Sequence, residues 1–182
     1  MDKTYADTVR LLLAVAPDVF ANHIFAMKGG TAINLFVRDM PRLSVDIDVV
    51  YLPWQTPRDE ALQAINQELA AIAARVPPLG VQTRLVRAKD LGDTKLIVEN
   101  DASQVKIEVN VVFRGSVLPV ERRPLSARTS DLFGVEFELP VLAPDELYAS
   151  KLVAALDRQH PRDLFDVWQL YESGDISDGM VE

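Results

Sequence analysis

The 182-residue chain contains no cysteine and only two histidines, His23 and His160. The first absence removes disulfides, thiolate metal sites and cysteine nucleophiles, and is in keeping with a reducing compartment. The second argues against a zinc centre built mainly of imidazoles. Nowhere do eighteen apolar residues run together, and the opening MDKTYADTVR carries acidic residues where a secretory leader would need basic and then apolar ones. A soluble, cytoplasmic protein is the expectation. Positive charge is in deficit, 19 Lys and Arg against 27 Asp and Glu for a net charge of -8, which argues against indiscriminate coating of nucleic acid because that mode matches cations to phosphates. Two local basic clusters remain, Arg84, Arg87 and Lys89 in TRLVRAK and Arg122, Arg123 and Arg128 in ERRPLSAR. They read as solvated surface charge, with a local RNA track as the alternative.

What the chain does have is apolar sequence in patterned runs, 48% hydrophobic residues being enough to fill the core of one sizeable domain. YADTVRLLLAVAPDVFANH places Val9, Leu12, Leu13 and Ala16 at helical spacing, and a helix ending near Pro17 is expected. HIFAMKGG is a short apolar segment running into a turn. A short helix is expected over residues 31–37, capped by Thr31 or Gly30 and broken at RDMPR. LSVDIDVVY alternates, with Leu43, Val45, Ile47 and Val49 on one face and Ser44, Asp46 and Asp48 on the other, the signature of a strand. RDEALQAINQELAAIAARV predicts a helix stopped by Pro77 and Pro78. Strands are predicted in VQTRLVRA, TKLIVEN, QVKIEVNVVF and VEFELPVL, the second and third forming a hairpin through DAS. From APDEL onward the pattern turns helical, first LYASKLVAALDRQ and then RDLFDVWQLYESG, ended by Gly174. The fold class is therefore α+β, a mixed sheet flanked by helices: an α/β core over 1–140 and a helical segment over 141–182. The closing DISDGMVE reads as the start of another element, so the chain is expected to be truncated; the alternative is that this small α+β domain is complete.

The chemistry-bearing stretch is MKGGTAINLFVRDMPRLSVDIDVVY. Strand geometry brings Asp46 and Asp48 to one face with their roots roughly 6 to 7 Å apart. Two carboxylates that close repel one another unless a cation lies between them, and Mg²⁺ favours such oxygen ligands while keeping positions for water and phosphate. In KIEVNVV the same alternation sends Glu108 to a face with Lys106 and Asn110, which makes Glu108 a candidate third carboxylate for one or two metals, or a base beside an attacking hydroxyl. Gly29 and Gly30 lead into a helix whose first N–H groups are free to receive phosphates, and glycine lets a ligand approach the backbone. Thr31 is a candidate phosphate ligand or a helix cap, and Ser44 a candidate contact to phosphate or sugar. The competing structural reading is an ordinary turn, helix and half-solvated strand.

KGGTAINLF followed by RLSVDIDVV resembles the signature of the AbiEii/AbiGii-type toxins, a nucleotidyltransferase family of the DNA polymerase β-like superfamily, with Arg42, Ser44, Asp46 and Asp48 at the motif positions. A second family motif is matched in KLVAALDRQHPRDLFDVWQL by Lys151, Ala154, Arg158, Arg162, Asp163 and Asp166. The resemblance covers Lys28 to Leu170. It implies nucleotide binding by Gly29, Gly30, Arg42, Ser44, Lys151, Arg158 and Arg162, to which the residues themselves add Thr31; Lys28 matches a recurrent family lysine beside the glycines, with its role open between phosphate contact and strand edge. It also implies metal ligation by Asp46 and Asp48 and catalysis by these two together with Lys151 and Asp166; Glu108, as third metal ligand and catalytic carboxylate, rests mostly on the strand alternation. Lys151 and Arg158 lie two helical turns apart and can share a face; Asp163 and Asp166 either orient them or simply hold helix to helix. The implied activity is Mg²⁺-dependent, or Mn²⁺-dependent, transfer of a nucleoside monophosphate from a nucleoside triphosphate to an acceptor, either RNA such as tRNA or a protein. The implied setting is a toxin–antitoxin or phage-defence system with a cognate antitoxin encoded nearby. The alternatives are a non-catalytic nucleotide-binding or protein-interaction module of the same fold, and a nucleotide-sugar glycosyltransferase using Asp-x-Asp, which leaves the Gly-Gly turn and the Lys151 motif without a role.

Overall fold

A computed structural model describes residues 2–87 and 94–180. Seven strands form one mixed sheet: β1 (Phe25–Lys28), β2 (Ile47–Tyr51), β3 (Gln82–Arg87), β4 (Thr94–Glu99), β5 (Gln104–Asn110), β6 (Glu121–Pro124) and β7 (Glu138–Val141), in the spatial order β3-β4-β5-β2-β1-β7-β6. The centre is built from β2 running parallel to β5 and antiparallel to β1, with β7 parallel to β1 on its other side. The predicted β4–β5 hairpin is present, and Asn100 shapes its turn by accepting through Oδ1 from the N–H groups of Ala102 and Ser103.

Helices α1 (Lys3–Val19) and α3 (Arg58–Arg75) pack on the sheet, α1 against β5 and α3 against β3 and β4. Ile47, Val49, Ile107 and Val109 are buried in this core, while the residues between them, Asp48 and Glu108, alternate to the opposite face. Asp2 caps α1 by accepting from the Tyr5 N–H. That helix runs past Pro17, where the sequence predicts its end. A proline in the last turn forfeits one backbone bond, and the complete burial of Ala16 and Val19, with Phe20 just beyond, outweighs it.

The other departures from the sequence reading are local. Paired strand structure in LSVDIDVVY starts only at Ile47, and Leu43, expected inside, is 57% exposed. The segment 43–46 is unpaired, and of its two apolar residues only Val45 packs against the core. β5 stops at Asn110, whose side chain turns the chain by accepting from the N–H groups of Val112 and Phe113. β6 and the short helix α4 (Ala127–Phe133) occupy a stretch in which the sequence shows only charge; an edge strand with two arginines and a proline has no apolar alternation to reveal it.

Beyond β7 the chain forms α5 (Pro144–Arg158) and α6 (Pro161–Ser173), which pack on each other. Pro144 and Pro161 occupy first-turn positions, and Gly174 ends α6 in the left-handed conformation. Leu147, Tyr148 and Lys151 of α5 are buried. No helix among the described residues is long and apolar enough to cross a membrane.

Candidate active site

The Gly-Gly bend is fixed by what surrounds it. β1 runs straight into α2 (Gly29–Ala32), which continues as a wide π-helical turn over Ile33–Val37. Gly29 has φ +77°, and a Cβ there would overlap the Asp48 carboxylate. A Cβ on Gly30 would overlap the Arg42 guanidinium and lie 2.9 Å from Ser44 Oγ. Both glycines are therefore required, Gly29 for its backbone conformation and its closeness to Asp48, Gly30 for the arginine folded over it. Helix α2 starts at Gly29, and Lys28, the residue before it, supplies no side-chain cap. Thr31 accordingly does not cap the helix as the sequence suggested. It is fully buried, and its Oγ1 donates to Ser44 Oγ at 3.1 Å, tying the helix to the loop before β2.

Four charged residues form a row across the sheet. Lys28 on β1 pairs in register with Asp48 on β2, Asp48 with Glu108 on β5, and Glu108 with Lys95 on β4. Directly paired residues on neighbouring strands have their side chains rooted roughly 5 Å apart. The row thus places two carboxylates between two lysines, and all four line one cleft of about 840 Å³. Burial pushes the Asp48 carboxyl up to about 6, with Glu108 and Asp46 adding to the rise and Lys151 and Lys28 opposing it. Burial pulls the Lys28 ammonium down, against the pull of Asp48 and Glu146 in the other direction.

Asp46 lies two residues before Asp48, ahead of the paired part of β2. Glu108 Oε1 is 2.5 Å from Lys95 Nζ, so this carboxylate turns along the row toward the lysine. Among the described residues no three Asp, Glu, His or Cys side chains converge as a ready-made metal cage. Asp46 and Glu108 nevertheless lie close enough to Asp48 for both to act on its carboxyl. The donor chemistry suits a hard divalent cation, because Asp48 is an oxygen ligand whose burial, and then its negative neighbours Glu108 and Asp46, hold its proton on until about pH 6.

The second motif forms an ionic network at the cleft wall, with Lys151, Asp163 and Asp166 buried and Arg158 exposed. Lys151 Nζ lies 2.7 Å from Asp163 Oδ1 and 3.2 Å from Asp166 Oδ2. Arg158 reaches Asp163 at 2.8 Å, and Arg42 grips both oxygens of Asp166 at 2.6 Å. Burial acts to raise the Asp163 carboxyl, yet the bonds and charges of Lys151 and Arg158 prevail and hold it below its ordinary range. These positions show what two of the candidate residues touch. Arg42, expected on the nucleotide, is folded back onto Asp166 and the Leu43 carbonyl. Asp166, expected in catalysis, has a side chain only 1% exposed and acts as the anchor of Arg42 and Lys151.

Of the remaining cations, Lys151 and Arg158 line the cleft; Arg162 is exposed on the first turn of α6 and is not among the residues that line it. The two basic clusters lie at opposite edges of the sheet, Arg84 on β3 and Arg122 and Arg123 on β6, so they do not form one continuous track. Arg122 pairs with Glu138, Arg123 with Glu121, and Arg128 bonds the Asp39 backbone. Lys89 and the Arg87 side chain lie outside the described residues.

Sequence reasoning missed several residues that shape the site. Asn34, fully buried, donates through Nδ2 to the Gly30 carbonyl at 2.7 Å and accepts from the Arg42 N–H at 3.1 Å, so it latches the glycine bend to the following loop. A polar amide inside an otherwise apolar helix was the available signal. Lys95 and Glu146 were also missed; the latter accepts from the N–H groups of Val117 and Leu118 and holds the loop that borders the cleft.

The architecture is that of the nucleotidyltransferases. The nucleotidyltransferase toxin MenT4 of Mycobacterium tuberculosis superposes with a TM-score of 0.60 at 24% identity, over 91% of this chain and 59% of that one. The antibiotic-resistance factor ANT(2'')-Ia superposes with a TM-score of 0.53 at 13% identity, over 96% of this chain and 87% of that one. At these identities the likeness establishes the fold, and the chain spans 59% of the length of MenT4. In sequence, residues 10–181 match the nucleotidyl transferase AbiEii toxin family, type IV TA system, and the chain belongs to that family. No curated protein matches it.

Proposed function

We propose that the protein is a divalent-cation-dependent nucleotidyltransferase that moves a nucleoside monophosphate from a nucleoside triphosphate to an acceptor hydroxyl. The observation that carries this reading is the charged row Lys28–Asp48–Glu108–Lys95 placed directly against the Gly29 bend. Carboxylates in the middle of the row and amides of an uncapped helix beside it are what a triphosphate with its counter-cation requires.

Asp46 and Asp48 would hold Mg²⁺ or Mn²⁺, with Glu108 next to them; when bound, such an ion neutralises the phosphates and the charge that develops on the leaving oxygen. Lys28, at the end of the row, and Arg158, at the cleft wall, hold the triphosphate by charge. The acceptor oxygen attacks the α-phosphorus and a new P–O bond forms there. The bond to the β-phosphate oxygen breaks and pyrophosphate departs, while the hydroxyl proton passes to Glu108. Lys151, held between Asp163 and Asp166, presents a fixed positive charge at the cleft and requires no rearrangement as charge develops.

Membership of a type IV toxin family supports a toxin role with a cognate antitoxin, and RNA such as tRNA, or a protein, is the acceptor class proposed. The test is to incubate the protein with Mg²⁺, each labelled nucleoside triphosphate and total cellular RNA or protein. Label should enter one acceptor pool with the parent chain and not with Asp46→Asn or Asp48→Asn. Undiminished labelling by either variant would remove the carboxylates from the reaction.

A further inference from the structure

The loop that follows β5 combines two properties seldom found together, since it is strongly apolar and exposed yet firmly pinned. Val112 is 78% exposed, Phe113 69% and Val117 91%, and all three line the cleft. The backbone carrying them is held at four places. Asn110 accepts from Val112 and Phe113, Arg114 Nη1 donates to the Thr56 carbonyl at 2.7 Å, the Gly115 N–H donates to the Tyr51 carbonyl at 2.7 Å, and Glu146 accepts from Val117 and Leu118. Gly115 adopts φ +82° with the Trp54 side chain where a Cβ would project. A surface pre-ordered in this way gives up little conformational freedom when it binds something.

The charged floor shows what kind of occupant fits. Lys28 Nζ lies 6.0 Å from the centre of the Phe113 ring, and Lys28 is the in-register neighbour of Asp48. The aromatic face is therefore within one side chain of the row to which the phosphates are assigned. An occupant that satisfies both must carry a flat apolar group on a short tether from its phosphates, which describes the base of a nucleotide. Helix α5 supplies Ala149, Val153 and Ala154 to the same cleft, small or apolar side chains compatible with a ring.

We propose that Phe113 is the stacking platform for the nucleobase of the triphosphate, with Val112 and Val117 extending the apolar surface. The inference rests on the reading of the cleft as a triphosphate site. It is tested by calorimetric titration of the parent chain, Phe113→Ala and Phe113→Tyr with each of the four ribonucleoside triphosphates and with inorganic tripolyphosphate, all in Mg²⁺. Loss of the ring should weaken nucleotide binding about tenfold, in the lower part of the range for base–aromatic stacking, and leave tripolyphosphate affinity unchanged; tyrosine should restore the parent value. Equal nucleotide affinity in Phe113→Ala would overturn the platform while the phosphate reading stands. An equal loss for nucleotide and tripolyphosphate would also overturn it, by showing that the ring acts through Lys28. A parent chain that binds neither compound would remove both the inference and the reading beneath it.

Discussion

Replacing Asp48 with asparagine is expected to make the metal-free protein more stable at pH 8 while abolishing nucleotide transfer. Asp48 titrates at about 6 instead of 3.8, chiefly because it is buried and secondarily because Glu108 and Asp46 lie close. Between these two values the folded protein keeps a proton that the unfolded chain has already released. Stability therefore falls as pH rises through this window and stays at the lower level above it. The difference corresponds to about 3 kcal/mol at 1.36 kcal/mol per pH unit. Asn keeps the shape but loses the attraction to Lys28 and Lys151, so the gain in practice should be roughly 1.5–3 kcal/mol, or about 5–10 °C in Tm for a chain of this size. Thermal unfolding of parent and variant in a chelator, from pH 4 to pH 8, provides the measurement. The curves should converge near pH 4 and separate progressively to above pH 6. A variant no more stable than the parent at pH 8, or a gain just as large at pH 4, would refute the idea that Asp48 carries an uncompensated charge.

Four further outcomes are expected. Divalent-cation affinity, followed by calorimetry, should drop about tenfold for each pH unit below 6, since the ion and the proton compete for Asp48; affinity unchanged down to pH 5 would place the ion elsewhere. Asp166→Ala leaves Arg42 without its partner and Lys151 with only one, and should cost about 3–5 kcal/mol by urea unfolding; a cost below about 1 kcal/mol would mean that the network is not structural. Lys151→Ala leaves Asp163 paired with Arg158 and Asp166 with Arg42, so folding should survive while turnover collapses; loss of folding with full activity in the remaining native protein would reverse that assignment. Gly30→Ala should destabilise by roughly 1–3 kcal/mol by pushing Arg42 off Asp166, and Asp166→Ala combined with it should show less than the sum of the two costs.

The elements legible in the sequence were those with a buried face. Ile107 and Val109 alternate with Glu108 because one side of β5 is core and the other is cleft, and α1 shows its apolar spacing for the same reason. β6 lies at the sheet edge with no apolar face, and its pattern said nothing about pairing. Within the site, spacing placed Asp48 and Glu108 on one sheet face but could not show that Lys28 and Lys95 complete a row with them, since this depends on which strands become neighbours. Nor could it show the direction of Arg42. A guanidinium in the loop after a helix can point outward or fold back, and its partner Asp166 is 124 residues away along the chain. Phe113 passed for the end of a strand until Asn110 was seen to stop β5 short of it.

The outermost strand β6 reads Glu-Arg-Arg-Pro, with its arginines bonded to Glu138 and Glu121 and a proline at its last position. Such a rim is a poor template for another chain: the proline offers no amide, and two guanidinium groups repel a like neighbour. This flank of the sheet should therefore resist zippering onto a second molecule, even when the protein is concentrated.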